Sequence, residues 1–265
     1  MKTKNRWRIL TLATIAFFIV AGIYFVALPI QKSKRLEQDL IEQFDWANRY
    51  TPPANGYLAP ERVEKFIRVR EAVQDNCAIF QNILDNVIKL EGIEDDPDMS
   101  AGDKASEGFD SLKTMLSAAP NFLEFMDARN QALLTEGMGL GEYLYIYLAA
   151  YGPQLAAEST SRYAEQEDAY ISQRARDEYI QILRNQLDAL DLATPEVSHA
   201  KLMAVLQAEV DDLKNSTDSP PWPEGPPAPT RESLSPYQPQ ISDLYCDGIV
   251  KVELLQKNRG LNFDG

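Results

Sequence analysis

Apolar side chains recur along the chain at the three-or-four-residue spacing of helices, and no stretch sustains the alternation of a strand. Residues 9–30, ILTLATIAFFIVAGIYFVALPI, carry no charge at all. At about 1.5 Å per residue this run extends roughly 33 Å, the thickness of a bilayer's hydrocarbon core. Trp7 and Tyr24 lie near its ends, where amphipathic rings settle. A cleaved signal peptide has a shorter apolar region and a small-x-small site, and Ala27-Leu28-Pro29 is a poor one. The expectation is an uncleaved transmembrane helix.

The next segment, residues 31–50, keeps helical spacing through Leu36, Leu40, Ile41 and Phe44, which predicts a stalk extending the membrane helix. Thr51-Pro52-Pro53 and Asn55-Gly56 break it. Pro60 opens a second helix, with Glu61 at the positive end of its dipole. A seven-residue repeat then runs through Val63, Phe66, Arg70, Val73, Cys77, Phe80, Leu84 and Val87 and predicts one continuous helix ending at Gly92. Helices are also expected over 107–118 and 121–135, separated at Pro120.

Residues 140–151, LGEYLYIYLAAY, are apolar on nearly every side and predict a buried central helix that Pro153 closes or kinks. Tyr179, Ile180, Leu183, Leu187 and Leu190 form the stripe of another helix, and Thr194 caps one more through Leu213. Eight of the sixteen prolines fall between residues 216 and 239, which predicts an extended linker. Leu244, Tyr245, Ile249, Val252 and Leu255 give residues 241–257 an apolar face that should dock on the body.

The reading is therefore all-α: an N-terminal transmembrane helix followed by a helical bundle, a Pro-rich linker and a C-terminal helix packing back. Its divisions are a basic cytoplasmic tail 1–8, the transmembrane helix 9–30, a stalk helix and linker 31–56, an acidic α-helical domain 57–215, the Pro-rich linker 216–239 and the C-terminal helix 240–265.

Charge changes this picture at one boundary. The net charge is −14, yet residues 1–35 hold seven basic side chains and no acidic one, which leaves 19 basic against 40 acidic residues, net −21, in the remainder. Such a body repels nucleic acid phosphates, so no nucleic-acid partner is expected. Four basic residues precede the uncharged run and three follow it at once, so the positive-inside count is close to balanced. The short basic tail favours the cytoplasm, which places the body in the periplasm of a bacterial cell, held at the inner (cytoplasmic) membrane by residues Ile9 to Ile30.

Candidate chemistry is sparse. Asp96, Asp98, Ser100 and Glu107 have the spacing of a calcium loop, but Ala101 stands where glycine must turn the chain and Lys104 where a ligand belongs. Glu158-Ser159 resembles the Glu-Ser start of lytic transglycosylases over two residues only. Ala164, Glu165 and Gln166 follow in place of that family's Gly-Leu-Met-Gln-type segment, so no glycosidase acid is carried over. His199, the single histidine, could serve Cys77 or Cys246 as a base, but no oxyanion loop accompanies it. Gly139 and Gly141 lack the rest of a nucleotide fingerprint. No catalytic residue, metal or cofactor is assigned, and no enzymatic activity is expected.

Two features remain. Cys77 on an apolar stripe and Cys246 on the terminal helix either form a disulfide pinning that helix to the core or stay as two buried thiols. Arg70 and Arg129 sit among core-facing positions, where an unpaired guanidinium costs several kcal/mol. Glu142 and Asp127 are the candidate partners of an internal clamp, with Tyr143, Tyr145 and Tyr147 adding hydroxyls. The alternative is a pocket built by Arg70, Arg129, Glu142, Tyr143 and Tyr147 for a lipid or other anionic small molecule. The functional expectation is a non-enzymatic interaction or scaffold module of the envelope with a protein partner.

Overall fold

The computed structural model describes residues 31–82, 120–162, 173–193, 197–216 and 220–249. The uncharged run 9–30, the acidic loop 94–103, the helix expected over 107–118, the Thr194 cap and residues 250–257 of the last helix lie outside them. The helices are α1 (31–44), α2 (Pro60–Val73), α3 (77–82), α4 (120–136), α5 (Leu140–Arg162), α6 (Gln173–Asp191), α7 (Val197–Asn215), α8 (Ala228–Leu234) and α9 (Gln238–Asp243). Among the described residues there is no strand, and no helix is long and apolar enough to cross a membrane.

The centre is α5, as its all-round apolarity predicts. Tyr143, Tyr145, Ile146, Tyr147, Leu148, Ala149 and Tyr151 are all nearly or wholly inaccessible. α2, α6 and α8 pack around it, and α7 covers α6. A short 3-10 turn, Ala47–Arg49, lies directly on the start of α5, where a Cβ on Gly141 would come within 2.1 Å of the Ala47 carbonyl oxygen. Gly139 and Gly141 are thus a close-approach pair that lets the chain cross α5. α4 ends at Gly137, whose φ of +64° supports a Schellman closure: Met138 N–H reaches the Leu133 carbonyl and Gly137 N–H the Leu134 carbonyl.

Four expectations need correction. The stalk is not free-standing: Leu36 and Leu40 are buried and Phe44 packs against the same core. α1 stops at Asp45, which adopts φ +65° and accepts the Trp46 N–H on its own carboxylate, a conformation Asp tolerates better than most residues.

The long heptad helix is interrupted by a 3-10 turn over Gln74–Asn76. The break re-aims α3 so that Cys77 meets Cys246 and Phe80 stacks edge-on against Phe125 of α4 at 5.4 Å. A small second core of Val73, Phe80, Phe125, Cys246 and Ile249 forms there.

α5 runs through Pro153 to Arg162. Proline inside a helix normally costs about 3 kcal/mol. Here Gly152 beside it opens the helix surface, and a Cβ at that position would lie 2.5 Å from the Pro221 carbonyl oxygen and 3.0 Å from Trp222. Burial of Tyr151 and Leu155 on either side of the proline keeps the helix together.

The proline-rich segment is not an extended linker. Pro229 sits in the first turn of α8 and Pro239 in the first turn of α9, while Pro220, Pro221, Pro223 and Pro226 lie in the irregular chain before them. Trp222, Thr230, Leu234 and Ile241 are buried. The segment is a wrap that closes the bundle.

Cys77 and Cys246 are joined in a disulfide across 169 residues. In the chain-entropy account, closing so long a loop stabilises by about 5 kcal/mol. Reduction should therefore lower Tm substantially and shift the urea midpoint down, read by circular dichroism with and without dithiothreitol. Unchanged melts of chain shown to be reduced would contradict this role.

Candidate functional site

The interior of the bundle is laid out by two helical registers. Phe66 and Arg70 lie one turn apart on α2, and Tyr143, Tyr147 and Tyr151 lie one turn apart on α5. The two rows meet, with the Phe66 ring centre 5.5 Å from that of Tyr143 and 6.3 Å from that of Tyr151, while Tyr147 and Tyr151 pack edge to face within α5 at 4.9 Å. Arg70 is fully buried. Its Nη1 donates to the Tyr143 hydroxyl at 3.0 Å and its Nη2 to the Leu244 carbonyl at 3.2 Å. The guanidinium carbon lies 5.0 Å from the Tyr147 ring centre and 5.6 Å from that of Tyr151. Desolvated cation–π contacts of this kind contribute about 2 kcal/mol.

Tyr151 donates its hydroxyl to the Ile241 carbonyl at 3.1 Å, and its ring meets Tyr245 at 5.2 Å. The arginine–tyrosine cluster thus grips the backbone of residues 241–245 from two sides.

The expected carboxylate partners are used elsewhere. Glu142 takes Arg62 in a two-pronged ion pair through Nε and Nη2, and the same Nη2 reaches the Gly137 carbonyl at 3.2 Å. The reason is register. Glu142 precedes Tyr143 by one residue, about 100° round the helix, and so faces the first turn of α2 rather than Arg70. The Glu142 hydrogen bond raises the Arg62 pKa, and burial, with Glu142's charge second, raises that of Tyr50 beside them. Asp127 pairs with Lys32 of α1 at 3.2 Å. Arg129, also buried, bonds the Asn130 side-chain oxygen at 3.1 and 3.3 Å, away from the tyrosine row.

Three further buried groups lie outside the Arg70 cluster, and of their residues the sequence singled out only Tyr145 for such a role. Tyr145, on the opposite side of α5, donates to Gln186 at 3.3 Å and lies 3.4 Å from Thr230. Those two in turn bind the Pro53 and Gly56 carbonyls at 3.0 and 2.9 Å. Arg176 of α6 donates to the Leu213 and Ser216 carbonyls, placing a cation at the negative end of α7.

The third is a latch on the proline-rich wrap. Trp222 adopts φ +51°, donates its backbone N–H to Glu209 at 2.9 Å and its indole N–H to the Tyr179 hydroxyl. Burial is the main cause that pushes Glu209 from an ordinary 4.5 up to about 7, with Asp212 adding to the rise and the Trp222 N–H opposing it. Burial also raises Tyr145 and Tyr179, so both phenols act as neutral hydroxyls. Tyr151 could have been found from its spacing after Tyr143 and Tyr147, and Trp222 from its large apolar side chain among the prolines.

The open feature is a groove of about 390 Å³ between α5, α8 and the Glu224–Pro226 turn. Ala149, Ala150 and Pro153 form its apolar floor, with Glu224 and Arg231 contributing the charges. It brings together no nucleophile with a base. The cysteines are bonded to each other, so neither thiol can pair with His199, which is half-buried on α7. Among the described residues no group of three His, Cys, Asp or Glu is placed to hold a metal ion; the calcium-loop spacing at 96–107 lies outside them, and Glu158 and Ser159 are on α5, their side chains likewise outside. No protein-family model, no curated protein and no solved structure matches the chain.

Arg70→Ala should cost about 3 kcal/mol or more, because it opens a cavity and strips partners from Tyr143 and the Leu244 carbonyl. Urea denaturation measures it; a variant as stable as the parent would rule out a structural role for the guanidinium.

Glu209 supplies a pH dependence of definite sign. With the folded value near 7 and the ordinary one 4.5, the native state holds the proton more tightly. The contribution is full below about 4.5 and is lost as pH rises through about 7, up to about 3 kcal/mol in all. Glu209→Gln, which keeps an acceptor for Trp222, should flatten the parent's stability loss between pH 5 and 8 and melt higher at pH 8. A parent-minus-variant difference that does not change with pH would refute it.

Proposed function

We propose that this chain is a single-pass membrane protein that presents an acidic helical body as a non-enzymatic interaction or scaffold module in the bacterial envelope. The observation that carries the reading is the uncharged run 9–30 between basic flanks, long enough for a bilayer. The Cys77–Cys246 disulfide supports the compartment, since such a bond persists in the periplasm and is kept reduced in the cytosol. The buried polar groups support a structural rather than catalytic use of the interior: Arg70, Tyr151, Arg176, Gln186 and Thr230 all bind backbone carbonyls of other segments.

The alternative, a site for a lipid or anionic small molecule built on Arg70, Arg129 and the Tyr-rich helix, has weaker support. Arg70 is enclosed, and a ligand would have to displace the Tyr143 and Leu244 contacts to reach it. Arg129 does not join that cluster.

The full chain is expected to sediment with membranes from a detergent-free lysate and to resist carbonate extraction. In intact cells, an impermeant protease admitted to the periplasm should digest the body, and mild detergent extraction should bring down a protein partner at fixed stoichiometry. Recovery of the full-length chain in the high-speed supernatant would overturn the anchored reading; bound lipid in place of a protein would favour the alternative.

A further inference from the structure

The described part of α1 follows the uncharged run directly in sequence, and it is not a spacer. Lys32, two residues past Ile30, has its Nζ 3.2 Å from the Asp127 carboxylate of α4. With the lysine side chain two-thirds exposed, that ion pair contributes under about 1 kcal/mol and marks a position rather than holding it. What holds α1 is apolar. Leu36 and Leu40 are buried at 8% and 4% exposure and Phe44 packs on the main core. Each fully buried leucine contributes about 1.5–3 kcal/mol.

The consequence is a distance limit. Two residues span at most about 7 Å, so with the lysine side chain and its contact Asp127 lies within roughly 17 Å of residue 30. The headgroup layer occupies about 5–8 Å of that on one side. A free helical stalk over residues 31–50 would instead hold the body about 30 Å away.

We propose that the face formed by the start of α1 and the middle of α4 is a lipid-facing surface, laid against phosphate-bearing headgroups. This rests on the anchored reading above and gives it a geometry. Charge supports the occupant. Lys32, Lys34 and Arg35 are the basic residues nearest the boundary, on a body whose remainder is net −21, and all three have exposed or half-exposed positions on α1. Asp127, the buried acid of this face, is covered by Lys32. Glu124, exposed on the same side of α4, opposes closer approach and sets the surface at headgroup depth rather than deeper.

The test uses the full chain in phosphatidylcholine–phosphatidylglycerol vesicles that carry a headgroup nitroxide. Gln31→Cys and Gln131→Cys, both exposed, each receive a fluorophore under non-reducing conditions, which leave the native disulfide intact. Quenching at residue 131 within about twofold of that at residue 31 is the expected result. Strong quenching at 31 with none at 131 would overturn the proposal while leaving the anchor standing. No quenching at either, with the chain free of the vesicles, would defeat the anchored reading itself. Leu36→Asp combined with Leu40→Asp should release the body, abolishing quenching at 131 and preserving it at 31. Circular dichroism checks that this variant stays folded, and if it does not, the unaltered chain still decides.

Discussion

The constraint on which the structure turns is the burial of one permanently charged side chain. Arg70 occupies an apolar stripe with no exposure, and a guanidinium cannot discharge itself by losing a proton. It must be solvated by protein. Two tyrosine faces, a tyrosine hydroxyl and a backbone carbonyl contribute to this, and the carbonyl belongs to Leu244, 174 residues further along. Residues 241–245 are therefore part of the core's electrostatics rather than an appendage. Without them the charge in α2 would lose the Leu244 carbonyl as an acceptor.

The same device recurs wherever irregular chain crosses the bundle. Gln186 and Thr230 hold the Pro53 and Gly56 carbonyls, Asn185 holds those of Asn48 and Tyr50, and Arg176 holds the end of α7. A loop that lies on a core needs its polar backbone satisfied, and here long side chains on α6, together with Thr230 of α8, do it. Glycines on α5 supply the complementary half. Gly141 and Gly152 remove the Cβ atoms that would meet the Ala47 and Pro221 carbonyl oxygens. The bundle is thus stitched by side chain-to-backbone bonds at its crossings, while the helices pack through ordinary apolar stripes.

That division explains what was legible in the sequence. Helical spacing found α2, α4, α5 and α6, and the absence of any polar face on α5 identified the central element. The anomaly of Arg70 was legible as well, and so was the Tyr143 hydroxyl beside it, but its carbonyl and ring-face contacts were not. Proximity in sequence pointed to carboxylates, whereas register turned Glu142 towards Arg62 and left Arg70 to carbonyl and aromatic acceptors. Composition misled at residues 216–239, because proline favours an extended chain and a helix's first turn alike, and only the apolar residues between the prolines distinguish them. Trp222, Leu234 and Ile241 carried that signal. Pro153 misled for the opposite reason: a helix with enough buried surface on both sides of a proline tolerates it.

The order of assembly follows from where the closing contacts lie. Arg70 to Leu244, Tyr151 to Ile241, and Cys77 to Cys246 all join early residues to the same late segment, across separations of 174, 90 and 169 residues. Closing such distant contacts carries its entropy cost before any of them is rewarded. Until residues 241–249 arrive, α2 holds a charge short of an acceptor and the second core lacks Cys246 and Ile249. The 3-10 break at Gln74–Asn76 and the grip on residues 241–245 bring Cys77 and Cys246 together. The disulfide and the arginine–tyrosine cluster thus hold the same late segment by independent means.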